Sequence, residues 1–74
     1  MNATSAKRQW ANEHWILVGS HGRNGRWTEP AVWAKDEGDC RSPSLVANKN
    51  GGLWLVYEHQ VRKDTEVRVK KIPG

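Results

Sequence analysis

The sequence predicts an all-β fold of antiparallel sheets, on three observations. Two short apolar runs, Pro43-Ser44-Leu45-Val46-Ala47 and Leu53-Trp54-Leu55-Val56-Tyr57, flank the polar turn Asn48-Lys49-Asn50-Gly51. Neither run alternates cleanly between apolar and polar residues, a pattern that marks strands covered on both faces. Turn residues recur between the apolar stretches, and no segment carries the periodicity of a helix.

The chain is short for such strands. Seventy-four residues make at most one small domain, which buries only roughly 60% of its unfolded surface. A strand covered on both faces therefore needs cover from outside its own sheet. Among architectures built from antiparallel hairpins, the β-propeller supplies it by packing blades face to face around an axis.

Taken in order, residues 1–6 read as a loose N-terminal tail and 7–74 as the folded segment. Strands are expected at 9–11 and 14–20, joined tightly through Asn12 and Glu13. The turn His21-Gly22-Arg23-Asn24-Gly25-Arg26 follows, with Asn and Gly to supply positive φ. A strand at 27–33 contains Pro30, which cannot donate to a ladder and places it at or near an edge. Residues 34–42 form a polar loop. Strands at 43–47, 53–61 and 65–72 complete the chain, the last two joined by Arg62-Lys63-Asp64. In the final strand Val67 and Val69 point one way and Arg68 and Lys70 the other, as in a half-exposed strand. Residues 16–20 and 67–71 occupy similar contexts about 40 to 50 residues apart, one blade length. The expected architecture is antiparallel blade sheets, about one and a half blades of a β-propeller.

Composition narrows the function classes. With 36% hydrophobic and 27% charged residues the chain is not of disordered composition, and five Trp, one Tyr and no Phe leave packing to a few bulky anchors. The net charge of +4 arises mostly at the two ends, with Asp64 and Glu66 interrupting the second basic group. Such a mixed run reads as a solvated strand face before a phosphate-tracking stripe. Cys40, the single cysteine, excludes an intrachain disulfide. The first residues show no signal-peptide pattern, no run approaches membrane-spanning length, and nothing assigns a compartment.

Ser20, Trp27 and the strand opening Trp27-Thr28-Glu29-Pro30 resemble the blades of sialidase-like propellers with BNR (Asp-box) repeats. The box is degraded: its Asp position is Gly22, its Gly is displaced to Gly25, and Arg26 stands where Thr precedes the Trp. Residues 43–58, a Pro-Ser-Leu strand followed by a Gly turn and Leu-Trp-Leu-Val-Tyr-Glu, are similar to the inner strands of the same blades. The resemblance implies propeller architecture and a carbohydrate-directed role. Arg41-Ser42-Pro43 resembles the family's Arg-Ile-Pro element, whose Arg helps clamp a substrate carboxylate, and makes Arg41 the one candidate for a catalytic position.

The remaining candidates come from the residues themselves. Trp10, Trp15, Trp27 and Trp33 lie near turns or edges, where an exposed indole stacks on a sugar or a base, and Glu58 and His59 follow the apolar run at a partly exposed strand end. Trp54, inside the doubly covered strand, reads as core; Ser20, Trp27, Pro30 and Trp54 are the structural motif residues. Tyr57 reads as a packed aromatic with its hydroxyl satisfied. His14, His21 and His59 lack metal-ligand spacing, and the acidic loop Asp36-Glu37-Gly38-Asp39 is too short for an EF-type calcium loop, so no metal and no cofactor is expected. No nucleophile elbow or phosphate loop is present.

The expected function is that of a structural or binding module with a glycan as its ligand, completed by self-association or by further blades. On the order of four copies of one and a half blades would close a six-bladed ring. A fragment of a sialidase-like glycosidase is one rival. The other is a small basic barrel binding nucleic acid, the least favoured partner.

Overall fold

Ten residues on each side of a two-residue loop build the first sheet. In a computed structural model that describes residues 2–47 and 52–72, β1 (Asn2–Ala11) pairs antiparallel with β2 (His14–Arg23) in unbroken register from Asn2↔Arg23 to Ala11↔His14. The loop is Asn12 (φ 50°) and Glu13 (φ 67°), both left-handed. That is the type I′ geometry whose twist matches the strands it joins. The loose tail expected over residues 1–6 is corrected here, since residues 2–6 form the outer half of β1. The segment lacks apolar alternation because β1 is an edge strand, where backbone pairing to β2 orders small polar residues without a buried face.

The other edge of β2 is shared by two short strands. Asn24 (φ 53°) and Gly25 (φ 80°) make a second tight turn into β3 (Arg26–Trp27). The chain leaves the ladder at 28–30 and returns as β4 (Ala31–Ala34), so the single strand expected at 27–33 is two pieces split at Pro30. Thr28 bridges the gap: its N–H donates to the His21 carbonyl at 2.9 Å, and its hydroxyl accepts from the His21 N–H at 3.0 Å.

The second sheet follows the order β5 (Asp39–Ala47), β6 (Leu53–Val61) and β7 (Asp64–Ile72). The loop before it is shorter than expected, residues 35–38. β5 carries a bulge between Arg41 and Ser44, with Ser42 at φ 54°. Pro43 falls in that bulge, where its missing N–H costs no ladder bond. The turn expected at 48–51 lies outside the described residues. Arg62 (φ 58°) and Lys63 connect β6 to β7.

The chain is therefore all-β, two antiparallel sheets with no helix among the described residues. Leu17, Trp33 and Ala34 of the first sheet meet Cys40, Leu55, Tyr57 and Ile72 of the second, with Ala6, Leu45 and Leu53 at the margin. β5 lies against β1 and β2. The molecule measures 41 × 26 × 15 Å. Sheets stack about 10 Å apart, so the thin dimension holds two layers and no third.

Two layers leave the outer face of the second sheet uncovered, and this corrects the expectation for β6. Its burial alternates: Leu55, Tyr57 and His59 face the core, while Trp54, Val56 and Glu58 on the outer face are half-buried. Trp54 is thus not a core residue. β2 does meet the expectation, with Ile16, Leu17 and Val18 all buried. In β7 the alternation is as expected, but the valine face is the wet one: Val67 is 70% and Val69 60% exposed. Arg68 sits opposite Tyr57 on the core side.

Candidate functional site

The connector between the sheets, residues 35–38, is tied to both of them by side-chain hydrogen bonds. Gly38 (φ 86°) admits no side chain, because a Cβ there would lie 2.2 Å from the Gln60 carbonyl oxygen. On the first sheet, His14 donates from Nδ1 to the Gly38 carbonyl at 2.8 Å, and the Trp15 N–H donates to Asp39 Oδ1 at 2.8 Å. On the second, Tyr57 donates its hydroxyl to Asp36 Oδ2 at 2.7 Å, Arg68 Nη1 donates to the same oxygen at 3.0 Å, and His59 Nε2 donates to the Glu37 carbonyl. Arg68 Nε reaches Glu66 at 2.5 Å, and the Glu66 carboxylate lies 3.5 Å from His59 Nδ1.

The electrostatics of this network follow from its geometry. Burial works to raise the Asp36 carboxyl, but hydrogen bonds from Tyr57 and Arg68 outweigh it and hold the group below its ordinary value. Burial, then the bond to Asp36, pushes the Tyr57 phenol up to about 12. The Arg68 hydrogen bond lowers the Glu66 carboxyl. Burial raises the Cys40 thiol, disfavouring the thiolate that nucleophilic chemistry requires. The cluster clamps a connector to both sheets. Among the described residues no group of three His, Cys, Asp or Glu is placed to hold a metal ion.

The expected ligand-binding residues are dispersed. Trp33 is corrected from an edge indole to a core residue at 7% exposure: it is the extra residue of a bulge where β4 pairs with β2, and its ring lies over Gly19. His59 is likewise buried, at 5%, since its strand position faces the core. Trp15 is half-buried, with Trp10 edge-on at 5.2 Å and the Arg8 guanidinium 4.5 Å over its ring. Trp10 stays exposed. Ser20, Trp27 and Pro30 come together, lining one cleft with Val18, and Trp27 stacks against Gly22 while remaining 55% exposed. A wider groove of about 1230 Å³ runs past the other side of Trp27, with Thr4, His21, Arg23 and Arg26 in its walls and Leu53 reaching in from the second sheet.

Arg41 and Glu58 pair across β5 and β6 and line a cleft of about 480 Å³ with Ser42, Pro43, Lys7 and Arg8. Arg41 Nη2 donates to Gln60 Oε1, whereas its Nε–H is buried and has no partner among the described residues. Tyr57, the single tyrosine, is on the core side with its hydroxyl committed to Asp36. The sequence pattern did not single out Lys7 and Arg8 for this cleft. Their placement depends on β1 lying against β5, a non-local contact with no short-range signature.

Comparison with protein-family models, with curated proteins and with solved structures finds no significant match.

Proposed function

We propose that the chain is a non-catalytic structural and binding module of propeller-blade type, whose two sheets are completed by stacking on another copy. One observation carries the reading: the outer face of the second sheet exposes apolar side chains to water, with Arg41, Glu58 and Lys71 at its margin. Val46, Val67 and Val69 are 49%, 70% and 60% exposed, and Trp54 and Val56 between them are half-buried. Val56 and Val69 are cross-strand partners, as are Val46 and Trp54, and contiguous apolar patches of this kind mark interaction surfaces.

A second copy fits as the occupant because the chain also carries a complementary face. On the outer side of the first sheet, Val32 is 55% exposed opposite Val18, and Trp27 stands beside them. The two apolar faces lie on opposite sides of a two-layer molecule. Their contact is head to tail, an arrangement that closes into a ring or extends into a filament. The groove beside Trp27 supports the ligand-binding part of the reading, since an exposed indole flanked by hydroxyl and guanidinium groups suits a sugar ring.

The test is cross-linking between chains. A mixture of Val67→Cys and Val32→Cys chains, treated with a short bifunctional maleimide, is expected to cross-link faster than either variant alone; Cys40 is fully buried and stays silent. A mixture no faster than a Lys63→Cys control would overturn the head-to-tail arrangement.

A further inference from the structure

We infer that the cleft between β1 and β5 is a binding site for a tetrahedral oxyanion, the sulfate or phosphate group of a monoester ligand. Lys7 and Arg8 line it from the first sheet, the Arg8 guanidinium also lying 4.5 Å over the Trp15 ring, and Arg41 and Ser42 line it from the second. One carboxylate, Glu58, opposes three cations there, and none of the three forms an ion pair with a carboxylate among the described residues. An uncompensated cluster of this kind attracts an anion.

Arg41 adds a second, independent observation. Its Nη2 is engaged by Gln60, which fixes the plane of the guanidinium, while its Nε–H is closed off from water without an acceptor. A buried donor left unsatisfied is destabilising, so an acceptor entering the cleft gains from relieving it. Arg41 spends one of its five N–H donors on Gln60 and keeps the others for a ligand. The remaining donors converge from two sheets and from different directions. That arrangement matches the several oxygens of a tetrahedral group, and Ser42 gains its place in the wall from the left-handed bulge that precedes Pro43.

The site borders the assembly surfaces, since Glu58 is the cross-strand neighbour of Val67 and Lys7 also lines the cleft beside Trp27; shifts followed at residues 7, 8 and 41–42 during an anion titration report on it separately from chain association. The experiment is a titration of the full chain with inorganic sulfate, inorganic phosphate, acetate and chloride at matched ionic strength, followed by the amide and arginine Nε–H resonances in nuclear magnetic resonance. Sulfate, phosphate or both are expected to give saturable shifts at residues 7, 8 and 41–42. Lys7→Gln, at an exposed position, is expected to weaken that binding at least 3-fold and Arg41→Gln at least 10-fold, roughly the loss of one charge-assisted hydrogen bond. Glu58→Gln is expected to tighten it, an outcome that a purely structural role for Glu58 does not give. The two sources separate by pH: phosphate binding should strengthen as its second proton leaves near about pH 6 to 7, and sulfate binding should not. Non-saturable shifts, equal shifts with chloride, acetate binding as tightly as sulfate, or indifference to Lys7→Gln and Glu58→Gln would each overturn the assignment.

Discussion

The Cβ of an alanine at position 19 would fall 2.1 Å from the indole ring of Trp33. Gly19 and Trp33 are thus one unit: the bulge that lets β4 keep its pairing with β2 also drops a tryptophan onto a strand position without a side chain. The ring is buried and its His21 neighbour lies 5.4 Å away, so it has no open side into which to retreat. Gly19→Ala is expected to destabilise the fold by about 1 to 3 kcal/mol, the usual cost of overpacking. Trp33→Ala should cost about 3 to 5 kcal/mol. Urea denaturation followed by circular dichroism measures both.

Acid and alkali should unfold the protein through the same contact from opposite ends. Tyr57 has its pKa raised to about 12 by burial and by the bond to Asp36, against about 10 in the unfolded chain. Its contribution is complete below about pH 10 and is lost as pH rises through about 12. Asp36 is held below its ordinary value, burial notwithstanding, by Tyr57 and Arg68. Its contribution is present above the unfolded pKa of about 3.9 and is lost as pH falls through the lower folded value. Denaturation midpoints measured from pH 2 to pH 12 should show both losses. Tyr57→Phe should flatten the alkaline one, and Asp36→Asn the acid one.

The β1–β2 loop offers a gain. Glu13 occupies the second position of a type I′ turn at φ 67°, where a Cβ is unfavourable and glycine is favoured. Glu13→Gly is expected to stabilise the fold by about 0.5 to 1 kcal/mol, read as a higher urea midpoint with unchanged slope.

Sequence reasoning reached the strand content and most of the turns, because Asn-Gly, Gly and Pro act locally. The turn at Asn24-Gly25 and the break at Pro30 are local facts of this kind. It missed the first residues of β1, whose order comes from a partner strand and not from their own pattern. It also exchanged the roles of two tryptophans. Trp54 lies in an apolar run and Trp33 beside a polar loop, but the bulge turns Trp33 inward and the two-layer thickness leaves Trp54 at the outer face. His14 carried no legible role and His59 read as a ligand candidate at a partly exposed strand end, since the connector they clamp is defined only once both sheets are in place. The Arg41 cleft was half legible: Arg41 and Glu58 stood out, while Lys7 and Arg8 join them only through the packing of β1 on β5.

The claim that an uncovered valine face recruits a second copy is tested most directly by size-exclusion chromatography coupled to light scattering. At micromolar concentration the protein is expected to elute as a multiple of 8.4 kDa. Val67→Asp combined with Val69→Asp, at two exposed positions, is expected to give a folded monomer. A wild-type protein that is folded and monomeric under the same conditions would contradict the claim.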